Sequence, residues 1–474
     1  MSRHFMTVFV SACAGGMAWG IRGQYGHETG AMMAGLLISA WLIVRLAPKL
    51  EGAAALRAVA FATVAMGFGG SMTYGQTVGL THDGPLVGNH AALGWGLLGL
   101  AIKGSLWIGF CGAYLGLGLG GGRYQRRDFI WLVLGQVALF HLGVWLLNEP
   151  YNPGQKELPL IYFSDDWRWE PGLELKPRRE LWGGLMAALL GFLCFARFVR
   201  KDRLTFRMGL WGLLGGALGF PLGQSVQAFH AWKPEVFQSG LWVTLAPHIN
   251  WWNMMETVFG AIAGALLAIG LLVNRRHIGK LSIDRAIPVG LEWGLLGIHI
   301  ILLALVEFAS IDAVDAIYDL GLMMGIIPIL GIALGRLWPA AVAGPIILMP
   351  IAGKTVKYLV YGQEGAALGG GEWLIYFFLP LTSAIALAWW LIVRQAKLTA
   401  HTLIVPVLLF GAVVFFGLNY AFFNFPWPWS EWTSRTPNGI IFTICLGFIL
   451  WGALIASPYP EDRDDQGNAS SGDK

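Results

Sequence analysis

The chain has 474 residues, of which 56% are hydrophobic and 13% are charged, and its formal net charge is +4. Soluble proteins carry about 25% charged residues, so the composition excludes an ordinary soluble domain. No basic patch stands apart from the loops, which argues against a nucleic-acid partner. The remaining class is an all-α integral membrane protein, a polytopic bundle whose first partner is the lipid bilayer.

Apolar runs near the length of about 20 residues that crosses a bilayer recur from end to end. We count fourteen, which predicts a single transmembrane helical domain over residues 1–456 with about 14 transmembrane helices (range 12–14), Gly-rich and in places broken. The segments are 5–21, 29–47, 53–73, 91–121, 129–147, 180–199, 207–229, 250–273, 287–309, 317–337, 338–353, 372–395, 402–423 and 438–456.

Three stretches depart from this simple pattern. Segment 91–121 is too long for one ordinary span and has Lys103 in its middle, so we expect a re-entrant or broken piece there. The loop 148–179 is the only sizeable extramembrane element, and it is expected to be extracytoplasmic and to form a lid or a rim. The polar, acidic tail 457–474 is expected to be disordered and cytoplasmic.

Basic residues orient the chain, because short cytoplasmic loops carry an excess of Lys and Arg. With an internal N-terminus, the inner loops hold 19 basic residues and the outer loops ten, five of which lie in the long loop 148–179. We therefore expect both termini in the cytoplasm of a bacterial-type plasma (inner) membrane.

The chain lacks the recognisable motifs of metal, nucleotide and nucleophile chemistry. There is no HExxH, Walker A, dinucleotide fingerprint or GxSxG motif. The four cysteines lie inside apolar runs and are interpreted as small buried side chains. We accordingly predict no cofactor and no metal site.

A Gly-Gln pair recurs toward the outer ends of the helices. It occurs at 23–24, 75–76, 135–136, 223–224 and 362–363, and a His follows within three to six residues in the first four. This pattern resembles a degenerate internal repeat of a two-helix unit. Because Gly permits close helix approach and Gln can then hydrogen-bond across the contact, the pairs are either packing contacts or the wall of a polar chamber that opens away from the cytosol.

Polar residues that collect at this outer face are the candidate site. Arg22 can hold a carboxylate, sulfate or phosphate bidentately, or it can simply pair with Glu28. An acid in the first turn of a helix complements the helix dipole without any chemistry, and Asn253 or Asn250 fits equally well as a simple helix cap. The candidates are Arg22, Gln24, His27, Glu28, Gln76, His82, Asp83, His90, Gln136, His141, Gln224, Gln227, His230, His248, Asn253 and Glu256.

Three ionisable residues fall inside apolar segments, where such groups are commonly functional. Glu292 and His299 are seven residues apart and share one helix face, and Lys103 lies in the long fourth segment. Together they suggest a proton path toward the outer cluster. The paired acids Asp165 and Asp166 of the outer loop fit either a sugar or cation contact or a solvated turn.

Two functions fit these residues, and the sequence favours the first; the abundance of candidate site residues argues against a third, a structural subunit or scaffold. Internal repeats, broken helices and intramembrane titratable groups favour a secondary transporter or flippase-like carrier of a small polar or anionic solute, with a cavity open to the extracytoplasmic side. Outer His, Asp, Glu and Arg residues also suit an integral-membrane enzyme for glycosyl, acyl or phosphoryl transfer or hydrolysis. The sequence says nothing about the oligomeric state.

Overall fold

The computed structural model describes residues 2–72, 74–120, 123–279, 282–283, 287–309, 311–319, 321–361, 369–423 and 431–455. Helices dominate this part of the chain, and the expected tail 457–474 lies outside it. The α-helices are α1 Arg3–Arg22, α2 His27–Leu46, α3 Gly52–Phe68, α4 Gly75–His82, α5 His90–Leu119, α6 Arg126–Leu147, α7 Trp182–Cys194, α8 Arg203–Trp232, α9 Trp242–Leu245, α10 Trp251–Asn274, α11 Val289–Phe308, α12 Asp312–Asp319, α13 Ile327–Leu334, α14 Trp338–Ala341, α15 Ile347–Tyr361, α16 Gly370–Trp373, α17 Leu379–Arg394, α18 Ala400–Phe423 and α19 Thr436–Ile455.

Several of these helices continue into π-helical turns, and two very short strands pair at one end of the bundle. The π segments are Phe195–Val199, Leu322–Ile326, Val342–Ile346 and Leu374–Phe378. Strand β1, Arg123–Tyr124, pairs in parallel with β2, Ser282–Ile283.

The described residues contain eleven helices that are long and apolar enough to cross a membrane, or twelve if α12 and the helical stretch Leu322–Leu334 form one bent span. These helices indicate an integral, multi-pass membrane protein, as the composition predicts. Two further apolar segments of the sequence also form helices. The 17-residue helix α3 is shorter than the eleven, and the 30-residue helix α8 carries more polar residues.

The expected break in segment 91–121 is wrong, because α5 runs without interruption for 30 residues. Its length is about 45 Å at 1.5 Å per residue, which matches a bilayer including its headgroup regions. The Asn89 side chain caps its start by accepting a hydrogen bond from the Ala92 N–H at 3.1 Å. The charge of Lys103 requires no break because Glu180 neutralises it, at 2.6 Å.

Segment 53–73, in contrast, is helical only in its first part. Helix α3 ends at Phe68, and the separate helix α4 begins at Gly75. The indole of Trp107 occupies the turn so closely that a Cβ atom on Gly70 would lie 1.8 Å from it. The pair Gly75–Gln76 therefore opens a short helix and does not close a long one.

Glycines bring the long helices into backbone contact. A Cβ atom on Gly15 of α1 would lie 2.1 Å from the carbonyl oxygen of Gly260 in α10, and one on Gly216 of α8 would lie 1.8 Å from the carbonyl oxygen of Gly104 in α5. Small residues at helix crossings are the usual means of tight association in membranes. Helix α2 and the stretch Trp338–Leu359 form the centre of the bundle. In an 18-residue window of each, 94% of the residues are buried.

Contacts between helix ends divide the bundle into two faces. At one face Glu51 bridges Thr399, Gly120 bridges Gly279, and β1 pairs with β2. All these residues belong to loops that the charge pattern assigns to the cytoplasm. The opposite ends, which we call the outer face, also contact one another, for example through the hydrogen bond from the Asn250 N–H to the Asn438 side chain at 2.9 Å.

Candidate functional site

A buried ion pair lies at the outer face, where α1 ends. Arg22, the last residue of α1, donates from Nη2 to Glu256 Oε1 of α10 at 2.8 Å, and both side chains are 2% exposed. The same Nη2 also donates to the Tyr74 hydroxyl. The guanidinium carbon lies 4.9–5.2 Å from the ring centres of Trp19, Tyr74 and Trp107, within cation–π distance. We call these residues the Arg22 cluster.

Neighbouring residues of α10 complete the Arg22 cluster. Trp252 donates its indole N–H to Glu256 Oε1 at 3.2 Å, and Asn253 donates its amide to the Gly20 carbonyl at 3.0 Å. Arg22 Nε has no hydrogen-bond partner among the described residues. Arg22, Asn253 and Glu256 are among the candidates from the sequence, which offered Glu28 as one possible partner of Arg22. The structure pairs Arg22 with Glu256.

A second group of charges lies at the same face, on α2, α11, α12 and α15. Lys354 Nζ donates to Glu307 Oε2 at 2.7 Å, and Lys357 Nζ lies 3.3 Å from Glu307 Oε1. Glu28 accepts a hydrogen bond from the Tyr318 hydroxyl and also feels the charge of Lys354. We call these five residues the Lys354 cluster. Lys354 therefore hydrogen-bonds to the carboxylate of Glu307 and interacts electrostatically with that of Glu28, on a different helix.

The segment 23–26 is the turn between the apolar helices α1 and α2, and it joins the two clusters. A Cβ atom on Gly23 would lie 2.9 Å from Glu256 Oε2, and one on Gly26 would lie 3.9 Å from Lys354 Cε. Gly26 has a φ of +84°, which disfavours any other residue. Between them, Tyr25 is buried and its hydroxyl hydrogen-bonds toward Thr355 of α15.

Two candidates lie in or beside this segment. The half-buried Gln24 has an unpartnered side-chain oxygen within the described part of the chain. His27 is the first residue of α2, and its side chain lies outside the described features.

Helix interruptions lie close to the Lys354 cluster in the chain. Lys354 follows the π segment Val342–Ile346, in which Gly344 has non-helical angles (φ −132°, ψ −105°). Helix α12 and the stretch Leu322–Leu334 meet at 57° just after Tyr318. Interrupted helices beside charged side chains are typical of sites where membrane proteins bind polar solutes and move.

Lys103 belongs to a different, structural contact. Its ammonium donates to Glu180 Oε1 and to the Thr77 hydroxyl, both at 2.6 Å. Glu180 also accepts from the Ser164 hydroxyl at 2.9 Å and from the Phe163 N–H at 3.0 Å. This buried pair fixes the outer loop onto α4 and α5.

Glu292 and His299, the other two residues of the suggested proton path, have contacts of their own that differ from those of Lys103. Glu292 Oε1 accepts the backbone N–H groups of Arg336 and Leu337, both at 2.6 Å, and caps the start of α14. His299 lies on the same helix as Glu292, with its ring centre 5.1 Å from that of Trp338.

The Gln residues of the Gly-Gln pairs make separate contacts. Gln76 holds the outer loop by two hydrogen bonds. It donates to the Lys176 carbonyl and accepts from the Arg178 N–H, both at 3.0 Å. Gln136 accepts from the Tyr114 hydroxyl at 2.8 Å, and Gln224 donates to the Thr81 hydroxyl at 2.7 Å. Gln227 is buried with an unpartnered side-chain oxygen, and 362–363 lies outside the described residues. In these contacts the pairs act as packing elements.

The remaining candidate histidines have local partners, mostly aromatic rings or backbone carbonyls. They are His82 with the Val78 carbonyl at 2.9 Å and Asp83 at 3.7 Å, His90 with Trp232 at 5.0 Å, His141 with Phe140 at 5.6 Å, His230 with Trp251 at 4.2 Å, and His248 with the Thr433 carbonyl at 3.1 Å. His141 is exposed on α6. These residues ring the outer face but do not converge on one point.

The outer loop presents an acidic group of its own. Asp165 is buried, and its Oδ1 has no partner among the described residues. This burial, together with the charge of Asp83, raises the pKa of Asp165 to about 6. Asp166, by contrast, forms an ion pair with Arg168 at 2.7 Å. Within the described residues, no group of three or more His, Cys, Asp or Glu side chains is arranged to hold a metal ion.

Sequence reasoning missed most of the Lys354 cluster. Lys354 and Lys357 come directly after the apolar segment 338–353 and at the outer face, where the charge bias disfavours Lys. This departure from the usual charge bias is the feature of the sequence that points to the two lysines. Comparison with protein-family models, curated proteins and solved structures gave no match. The function therefore has to be argued from these two clusters.

Proposed function

We propose that the protein is a secondary transporter or flippase-like carrier of a small polar or anionic solute, and that the Lys354 cluster is its solute and coupling site. The observation that carries the proposal is the position of Lys354. It donates a hydrogen bond to Glu307 of α11 and interacts electrostatically with Glu28 of α2. Charged groups within transmembrane helices are costly to bury and are generally kept for function.

The charges of the cluster suggest how a solute enters. The two positive charges of its Lys residues equal the two negative charges of its Glu residues when all four are ionised. An anionic solute that binds Lys354 and Lys357 displaces the Glu307 carboxylate, which lies 2.7 Å and 3.3 Å from them. A displaced carboxylate that has lost its cations takes up a proton more readily. Binding of the anion is thereby coupled to uptake of a proton.

The helices around the cluster supply a route for movement. The π segment Val342–Ile346 and the 57° angle after α12 leave backbone groups outside regular helix. Such breaks allow one part of a bundle to rock against another in alternating access. The Arg22 cluster holds the segment 23–26 in place against α10 and so supports the wall of the site.

Uptake into proteoliposomes tests this proposal. The purified chain is reconstituted, and uptake of a panel of small carboxylates, phosphate and sulfate is measured with and without a proton gradient. Lys354→Met should abolish uptake of the transported anion. The matched control Lys233→Met changes an exposed outer-face lysine and should transport as the unchanged chain does. Equal uptake by the two variants would remove Lys354 from the site.

An outer-face enzyme remains a second candidate because of Asp165. A carboxyl group with a pKa of about 6 suits a general acid near neutral pH. The same loop contributes to a surface cavity of about 340 Å³, which is lined by Trp95, Leu160, Tyr162, Arg168 and Trp169, and its aromatic rings and its one cation suit a sugar or a lipid headgroup. Hydrolysis of glycosyl or phosphoryl esters that disappears in Asp165→Asn and persists in Lys354→Met would favour the enzyme.

We further infer a topology of fourteen spans built from degenerate repeats, with both termini in the cytoplasm of a bacterial-type inner membrane. The two-face grouping of helix ends supports this arrangement. Single cysteines in an otherwise Cys-free chain provide the test. Ser239→Cys should react with an impermeant thiol reagent on intact cells, and Lys397→Cys only after lysis. The reverse pattern would invert the topology.

A further inference from the structure

A cavity of about 240 Å³ lies between α11, α13 and α14, far along the chain from the Arg22 cluster. Its walls are aliphatic except for His299 and Trp338. Ile298, which lines it, is 58% exposed on the outer surface of the bundle. Because this surface is apolar and belongs to a membrane-spanning helix, the cavity opens toward lipid.

Two polar groups in the cavity have no hydrogen-bond partner among the described residues. His299 is 1% exposed, and neither of its ring nitrogens is paired. The indole N–H of Trp338, a side chain that is 2% exposed, is also unpaired. Unsatisfied polar groups are especially unfavourable in hydrocarbon, where no water can serve them. A molecule that fills the cavity and accepts their hydrogen bonds removes this penalty.

The depth of His299 restricts what that molecule can be. His299 lies ten residues after Val289, the start of α11, and therefore about 15 Å along the helix axis. This distance is half of a hydrocarbon core of about 30 Å. The ester and phosphate groups of bilayer lipids stay at the interface and do not reach this level. The polar atom must belong to a molecule that dissolves entirely in the hydrocarbon.

We propose that this cavity binds a neutral, lipid-soluble molecule whose apolar skeleton carries a carbonyl oxygen, of the quinone type, with His299 and Trp338 as hydrogen-bond donors. None of the residues that line the cavity carries a formal charge, which disfavours an ionic head. A neutral imidazole offers one N–H and one acceptor nitrogen, and an indole offers one N–H. The site does not depend on transport by the Lys354 cluster.

Photo-cross-linking tests the proposal. The purified full chain in detergent is illuminated with a benzoquinone that carries a decyl chain and a diazirine, and the labelled peptides are identified by mass spectrometry. Label should appear on α11 and α13, and an unreactive decyl-benzoquinone should compete for it. His299→Phe should weaken competition about tenfold, the effect of about 1.4 kcal/mol from one lost hydrogen bond. His401→Phe, a histidine of α18, is the matched control and should not.

A second variant guards against loss of folding in the first. Leu302→Trp fills the cavity without removing a polar group, and it should abolish the label on α11 and α13. The proposal is overturned if decane or a phospholipid competes as well as the quinone, if the label lies elsewhere, or if both variants are labelled as strongly as the unchanged chain. The last outcome would mean that water or an acyl chain occupies the cavity.

Discussion

Replacement of Lys103 by Met is the sharpest test of how the outer loop is held. Lys103 is 0% and Glu180 is 1% exposed, and their charged atoms are 2.6 Å apart. Removal of one partner from a buried ion pair leaves an uncompensated charge, and such changes cost about 3–5 kcal/mol. We expect Lys103→Met to lower the free energy of unfolding by about that amount. The double variant Lys103→Met with Glu180→Met should recover a large part of it.

Two measurements follow this prediction. Denaturant unfolding in mixed micelles gives the change in stability. Trypsin digestion reports on the loop, since Arg178 and Arg179 are exposed there and become easier to cleave if the loop leaves α4 and α5. A Lys103→Met variant within about 0.5 kcal/mol of the unchanged chain, the usual size of a surface effect, with unaltered cleavage, would refute the reasoning.

Three further predictions concern the loop and the helix contacts. Asp165 binds its proton more tightly in the folded than in the unfolded chain, so its contribution to stability is full below pH 3.8 and is lost as the pH rises through about 6. The melting temperature should therefore fall between pH 4 and 7, and this fall should be smaller in Asp165→Asn. An equal fall in the two proteins would contradict the assignment. Gly15→Val places carbon against the Gly260 carbonyl and should prevent folding, whereas Gly294→Val, with nothing within 4 Å, should not, as size-exclusion profiles will show. Gln76→Ala should speed cleavage of the loop by trypsin, and equal rates would mean that its two hydrogen bonds to the loop are dispensable.

The sequence was sufficient to place the long helices. Each of the fourteen apolar segments contains a helix, because the length and apolarity that a span requires are local properties of the chain. The grouping of helix ends into two faces also follows from the basic loops. The division after Phe68 escaped prediction, since it depends on Trp107, about 40 residues away, filling the space beside Gly70.

The partners of the charged residues could not be predicted from the sequence. The sequence offers Glu28, six residues away, as one possible partner of Arg22, but the carboxylate that Arg22 contacts comes from Glu256, 234 residues away. Helical spacing shows which face of a helix is polar, but it does not show which other helix meets that face. For the same reason the sequence does not indicate that Glu180, 77 residues away, supplies the partner of Lys103.

The most direct test of the account separates exchange of the solute from its accumulation. In proteoliposomes, Glu307→Gln keeps a hydrogen-bonding side chain beside Lys354 but removes the carboxylate that is proposed to take up the proton. We predict that this variant still exchanges labelled for unlabelled anion across the membrane and no longer accumulates it in response to a proton gradient. Accumulation equal to that of the unchanged chain would contradict the proposed role of the Lys354 cluster.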